Sequence, residues 1–486
     1  MATKSSLGGD AVRLTVSKLL ALCITMVSGM LLSRFRTLDE YGTYSQLLLV
    51  VSVFSSAFML GLPSCANYFL GRAETSEEKQ KFLSVYYSLS TILSIIMGAS
   101  LVCAAPLLVK YFNNPTLTNF IYFLAVYPWT STINSSVENV LIAYKKTHYM
   151  LTFRLSHSLC VLGSILFIQV LSLGFKEYML VYLAVECVFS IIVFRIVNRV
   201  GGKISISFDW PWVKQIMLFS IPIGIGSIVG TLDIEMDKLL IGRLMTTDQM
   251  AIYSNASKEL PATIIAASIS AVLLPEFARL LKNNEHREAI KVWNTASELS
   301  FIFMALIVSG LVTYADAVIE LLYSEKYLPG LPVFRVYSIT LLLRVTYFGI
   351  MLNAEGKTKE ILYCSIVALF LNLLLNPLLF WVLGMVGPAI ATLISVMAVN
   401  LLQLVLTSKY AKVGIHEVFP WKACAHILAI NAGCATVFYF IKLWLPLNTL
   451  IGNVGESIML GLIWSVLYVL IMRRQIQHLW NKLTGA

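Results

Sequence analysis

The chain has 486 residues, of which 58% are hydrophobic and 13% charged, with a formal net charge of +10. Globular soluble domains carry about 25% charged residues, so an ordinary soluble domain is excluded. The positive balance does not point to nucleic acid. The basic residues are spread over loops between apolar runs, and no basic domain, RNA-binding motif or zinc spacing occurs.

A hydrocarbon core of about 30 Å needs roughly 20 apolar residues per helix. The chain offers such runs repeatedly, without the alternation of barrel strands. The reading is an all-α polytopic membrane protein with about fourteen transmembrane helices. Spans one to six are expected near 12–33, 42–63, 83–109, 118–143, 150–172 and 178–197. Spans seven to twelve are expected near 213–240, 249–281, 293–322, 330–354, 360–383 and 386–408, and two more near 421–445 and 455–472. The first run is span-length and lacks a small-residue cleavage site, so it reads as a retained helix. Lys and Arg concentrate in alternate loops, which puts both termini on the cytoplasmic side.

The chain repeats itself. Arg34-x-x-Thr37-x-Asp39-x-x-Gly42-x-Tyr44-Ser45 recurs as Arg243-x-x-Thr246-x-Asp248-x-x-Ala251-x-Tyr253-Ser254, an offset of 209 residues. Leu141-x-Ala143-x-x-Lys146-Thr147 recurs as Leu352-x-Ala354-x-x-Lys357-Thr358, an offset of 211. Two matches at nearly one offset predict two pseudo-symmetric six-helix lobes, residues 1–197 and 212–410. A polar, glycine-containing hinge at 198–211 joins them, and two extra C-terminal spans occupy 411–486. With an even number of spans per repeat, the lobes share one orientation and place a site at their interface.

Charges inside the spans are the functional signal. One at bilayer depth costs roughly 2.5–3.5 kcal/mol even on the mildest scale, so it faces a cavity or a partner. Asp233, Glu235, Asp237 and Lys238 stand near the end of span seven, and Lys258 and Glu259 inside span eight. Lys18 in span one and Arg335 and Arg344 in span ten are further intramembrane cations. Arg344 is placed too deep to snorkel easily, whereas Lys238, Arg335 and Lys18 are nearer an interface. Asp233 and Asp237 share a helix face and repel unless a cation or proton lies between them, which motivates ion coupling through H+ or Na+. Glu235 and Lys238 offer a local pair instead. Asn372 and Asn376 share a face that suits sugar hydroxyls or a neighbouring helix. The eight cysteines contain no CxxC, and the histidines, such as His148, His286, His416 and His478, fall mostly at loops or interfaces. No nucleophile–base set, metal-ligand spacing, phosphate-cradling loop or large outer loop is present, so no enzyme and no metal or organic cofactor is expected.

Two six-span lobes, the outer Arg34–Ser45 turn and Asp237-Lys238-Leu239-Leu240-Ile241-Gly242-Arg243 ending span seven resemble the multidrug/oligosaccharidyl-lipid/polysaccharide exporter superfamily. Within it they are most similar to the polysaccharide repeat-unit (O-antigen-type) flippases. Leu274-Pro275-Glu276-Phe277, Asn353-Ala354-Glu355-Gly356-Lys357 and Asn376-Pro377 before Gly384-x-x-Gly387-Pro388-Ala389 match as well, so the resemblance covers nearly the whole chain. It implies alternating access of two lobes in the bacterial cytoplasmic (inner) membrane. Polyprenyl-pyrophosphate-linked oligosaccharide would turn from the inner to the outer leaflet, for O-antigen, capsule or exopolysaccharide assembly. On that reading Arg344, Lys258, Lys238, Arg335 and Lys18 line a cationic cavity, because a dianion cannot cross hydrocarbon unpaired. The implied partners are membrane lipid, the lipid-linked oligosaccharide, and a polysaccharide polymerase with its chain-length proteins. The alternative is a cation-coupled multidrug antiporter of the same superfamily, with the acidic face of span seven as its site.

Overall fold

The computed structural model describes residues 4–258, 260–261, 263–264, 276, 279–283, 285–445 and 447–484; of 4–18, 147 and 484 it describes the backbone alone. Among them every regular element is helical. The chain begins with α1 (Lys4–Phe35), α2 (Leu38–Phe58), α3 (Leu62–Arg72), α4 (Ser76–Phe112) and α5 (Ile121–Ala143). It continues with α6 (Thr147–Val170), α7 (Phe175–Gly201), α8 (Trp210–Leu244) and α9 (Thr247–Ala256). Further on come α10 (His286–Thr313), α11 (Ala315–Leu322), α12 (Leu331–Thr340), α13 (Ile350–Ala354) and α14 (Thr358–Leu383). The last are α15 (Val386–Ala411), α16 (Ile415–Val418), α17 (Trp421–Trp444) and α18 (Asn448–Thr484), the last interrupted at Gly452.

This is an all-helical, multi-pass membrane protein. Among the described residues nine helices are long and apolar enough to cross a membrane, and the pair α2–α3, bent by 48°, is a tenth if taken as one span. The expected count of about fourteen is not reached, for identifiable reasons. Span one is described with side chains only from Leu19. Span four, α5, carries a run of hydroxyls and amides. The middle of span eight, 265–275, lies outside the described residues. Span ten is broken: α12 gives way to a 3-10 turn at Leu341–Arg344 before α13 begins at Ile350. The freed Leu343 carbonyl accepts the Asn400 amide of α15 at 2.6 Å, as non-helical backbone at membrane depth requires.

Both repeated motifs are helix ends. Thr37 caps α2: its Oγ1 accepts from the Glu40 amide at 3.2 Å, and Glu40 Oε2 accepts from the Thr37 amide at 3.0 Å. Thr246 and Gln249 repeat this box at α9, at 3.3 and 3.1 Å. These reciprocal bonds satisfy amides that a helix start leaves open. The second motif is a C-terminal cap, in which the Lys146 amide reaches back to the Leu141 carbonyl at 2.9 Å and the Lys357 amide to Leu352 at 2.8 Å. The left-handed residue each turn needs is Lys145 (φ 55°) in one copy and Gly356 (φ 70°) in the other.

The contacts divide the chain into two compact units, Met1–Ala251 and Ile252–Ala486. In the first, α4 packs on α5, α1 on α6, α5 on α7 and α2 on α8. A side chain at Gly98 would run into the Ala125 carbonyl oxygen, so glycine is what lets α4 and α5 approach so closely. Its core holds Phe82, Tyr86, Tyr87, Ile133 and Phe189. In the second unit α14 packs on α15 and α10 on α17 and α18, around Trp293, Phe348, Trp464 and Tyr468.

Candidate functional site

The charged end of α8 is largely satisfied locally. Lys238 Nζ donates to Glu235 Oε2 at 2.8 Å, the pairing expected from their three-residue spacing. Asp237 is buried, and its Oδ1 accepts the Lys238 backbone amide at 2.7 Å. Asp233, one turn earlier, is half-buried.

Two of the expected cations lie where helices stop. Lys258 was expected inside a continuous helix over 249–281, but α9 ends at Ala256 and Lys258 is non-helical and exposed. The chain reaches Pro261 three residues later, and the residue before a proline is pushed out of the helical region. Lys258 borders a small pocket with Tyr337, Ser338 and Leu341. Arg344 is half-buried and sits at the C-terminal end of the 3-10 turn in the broken span. There the unsatisfied carbonyls of a helix end favour a cation. Arg335 is exposed, with its Nε donating to the Val312 carbonyl at 3.3 Å. Lys18 lies within α1, with its side chain outside the description. Asn372 and Asn376 are buried on α14, and neither polar atom of Asn376 has a hydrogen-bond partner among the described residues.

The feature that sequence reasoning missed is in the first unit. α5 carries Thr130-Ser131-Thr132-Ile133-Asn134-Ser135-Ser136-Val137-Glu138-Asn139. Tyr127, Ser131 and Ser135, four apart and therefore on one face, line two adjoining cavities. The larger, about 1170 Å³, adds Ser52, Ser55 and Ser56 of α2 and Ser227 and Thr231 of α8. The smaller, about 830 Å³, adds Asn134 and Glu138, Arg154 and His157 of α6, and Tyr182 and Glu186 of α7.

Glu186 organises the smaller cavity. Its side chain is 5% exposed; Oε2 accepts from Asn134 Nδ2 at 2.7 Å and Oε1 lies 3.0 Å from His157 Nε2. Ser190 Oγ donates to Asn134 Oδ1 at 3.1 Å, and the Tyr127 and Tyr182 hydroxyls lie 3.2 Å apart. Arg154 is paired with Glu138. A carboxylate this deep would be costly alone; here two helices satisfy it. Two carboxylates face one guanidinium and one imidazole, so this set is neutral with His157 protonated and carries one negative charge otherwise. Such a lining can donate and accept hydrogen bonds over a polyhydroxylated ligand, and it can hold a proton between His157 and Glu186. Each of these residues had a signal. Glu186 and His157 are single ionisable residues in apolar runs, which marks a functional position by default. Arg154 follows Lys145 and Lys146 closely enough to read as part of that basic loop.

The first unit thus sets polar cavities among the helices of a membrane-spanning chain. The fold is that of a lipid II flippase MurJ in an inward closed conformation, at a TM-score of 0.76 and 15% identity over 96% of this chain and 100% of that one. It is also that of an inward-facing multidrug resistance MATE family transporter of the MOP superfamily, at 0.66 and 15% over 83% and 98%. These neighbours are a flippase and a transporter, not enzymes. The chain belongs to the polysaccharide biosynthesis protein family, whose model matches residues 31–332. Teichuronic acid biosynthesis protein TuaB of Bacillus subtilis is 24% identical over 305 residues, 60% of each chain. Capsular polysaccharide biosynthesis protein CapF of Staphylococcus aureus is 25% identical over 246 residues, 48% of this chain and 61% of its own. A probable lipid II flippase MurJ of Rhizobium tropici is 25% identical over 304 residues, 57% and 54%. The chain thus spans between 54% and 61% of the length of these relatives.

Proposed function

We propose that this protein is a flippase. Its cargo is a polyprenyl-pyrophosphate-linked oligosaccharide repeat unit, carried from the inner to the outer leaflet for assembly of a surface polysaccharide. The observation that carries the reading is the hydroxyl-, amide- and carboxylate-lined cavity enclosed by membrane-spanning helices of the first unit. A polar head group needs such a lining to leave water, since unsatisfied hydroxyls and amides are costly in an apolar medium. The family match and the relatives named for teichuronic acid, capsule and lipid II support the cargo class.

On this proposal lobes 1–197 and 212–410 alternate access, with 411–486 as an addition. The sugar meets the cavity of the first unit, and Arg344, with Lys258, Lys238, Arg335 and Lys18, neutralises the pyrophosphate. Asp233, Asp237 and Glu235 take the coupling H+ or Na+, and Asn372 and Asn376 hold sugar or neighbouring helices. The protein works in the bacterial inner membrane with both termini cytoplasmic, beside a polymerase and chain-length proteins.

The test is extraction of lipids from cells lacking the gene. A complete lipid-linked repeat unit should accumulate, and wild type but not Arg344→Ala should clear it. No accumulation, with raised sensitivity to cationic dyes, would favour the multidrug antiporter instead. The MATE-like fold and the carboxylates of α8 keep that second reading in view.

A further inference from the structure

The segment between α7 and α8 is fastened along its length. Residues 202–209 belong to no helix, and they start from Gly202 at φ 89°, a conformation that favours glycine. Gln80 Nε2 of α4 donates to the Lys203 carbonyl at 2.7 Å. The Ser205 amide donates to Ser84 Oγ at 3.3 Å, and the Ser207 amide to Ser88 Oγ at 3.0 Å. The spacing explains the match. Positions 80, 84 and 88 rise about 6 Å per step along a helix, and 203, 205 and 207 advance about 6.6 Å per step along a strand. The two rows therefore stay in register over three contacts. Lys81 Nζ meets Asp209 Oδ2 at 2.5 Å at the far end, and Asp209 Oδ1 accepts the Trp212 amide that opens α8.

The other side of this strap is apolar and uncovered. Ile206 is 87% exposed, Phe208 52% and Trp210, the first residue of α8, 72%. Arg195, Arg199, Lys203 and Lys214 around it are also exposed. Both flanking helices are membrane spans, so the strap lies where two spans leave the same face of the bilayer. An apolar row inside a basic collar at that level is complementary to an anionic lipid surface: the row enters the headgroup boundary and each nearby cation adds about 1 kcal/mol.

We propose that residues 203–210 are a lipid-anchored strap, zipped to α4 on one edge and seated through Ile206, Phe208 and Trp210 in the anionic leaflet on the basic side of the membrane. The linker is then a fixed foot for α8 rather than a free tether. This does not depend on what the protein transports.

The test uses full-length protein in phosphatidylcholine vesicles with and without phosphatidylglycerol. Ile206→Cys and Phe208→Cys, each in a background without other cysteines, carry an environment-sensitive fluorophore. Brominated acyl chains should quench both labels several-fold more than aqueous iodide does, and phosphatidylglycerol should strengthen the effect. The lipid dependence should vanish in Arg199→Gln/Lys203→Gln. Iodide quenching as strong as at a label on Lys412→Cys would overturn the anchoring, and an equal response in both lipids would overturn the anionic preference. Where cysteine replacement unsettles the fold, Ile206→Asp in the otherwise native protein gives the answer. Its Ser205 and Ser207 amides should exchange with deuterium faster in vesicles, and unchanged exchange sinks the proposal.

Discussion

Glu186 takes one hydrogen bond from α5 and faces His157 of α6, so its removal should be felt as unmet donors rather than as lost volume. Glu186→Ala is expected to cost about 1–3 kcal/mol, read as a lower thermal midpoint in detergent. Glu186→Gln, which keeps an acceptor for Asn134, should recover most of it. At this scale the sequence was informative about Lys238 and Glu235, because a helix fixes which neighbours three residues apart can meet. It marked Glu186, His157 and Arg154 one by one but could not bring them together, because they stand on two helices, with Glu186 and His157 29 residues apart. Only a tertiary fold makes that pairing. Arg344 was legible as deep, but not as the last residue before a break. LLLRVTYFGI has the apolarity of a continuous span, and what satisfies the open carbonyl is Asn400 on a different helix.

Helix ends explain why the repeat was readable. A capping box and a C-terminal cap are chemistry within six residues, so both survive in sequence as fixed spacings. Thr37→Ala and Thr246→Ala should each cost about 1 kcal/mol, measured by thermal unfolding. The two C-terminal caps differ in one respect: Lys145 holds the left-handed conformation that Gly356 adopts freely. Lys145→Gly should therefore stabilise by up to about 1 kcal/mol, and Gly356→Ala should do the reverse. The hydrogen bond and charge of Lys81 hold the Asp209 carboxyl below its ordinary value of 3.8. A lowered carboxylate value means the contribution is fully present above that pH and is lost as pH falls through the folded value. Protection of the Ser205 and Ser207 amides, measured against their intrinsic exchange at each pH, should thus hold from neutral pH down to the ordinary value of 3.8 and be lost below it. The linker's polar composition suggested a hinge; its zip onto Gln80, Ser84 and Ser88 depends on a register match that no local pattern announces.

Across the first unit as a whole, the α8–α9 turn is seated on the ends of α2 and α4. Arg243 donates to the Lys110 and Tyr111 carbonyls at 3.1 Å each, on the last turn of α4, and Tyr111 donates to the Leu239 carbonyl at 3.2 Å. A side chain at Gly42 would enter the Thr247 carbonyl oxygen. Here the two copies of the repeated motif touch, and Gly42→Val should part them, read as faster thiol labelling of Phe112→Cys.

The larger cavity, walled by Ser52, Ser55, Ser56, Ser131, Ser135 and Thr231, has a consequence for selectivity. Ser56 and Ser135 donate to the Val53 and Thr132 carbonyls of their own helices and so offer a ligand an acceptor, whereas a hydroxyl without such a bond is a rotor that gives a hydrogen bond in one orientation and takes it in another. A wall made mostly of rotors has little fixed polarity with which to penalise a ligand for presenting an acceptor where another presents a donor. Strong discrimination comes from fixed groups that are left unpaired by the wrong ligand, and this wall has few. On the flippase proposal such a wall sorts its contents by bulk rather than by stereochemistry, and a change of cargo would require no change in its lining.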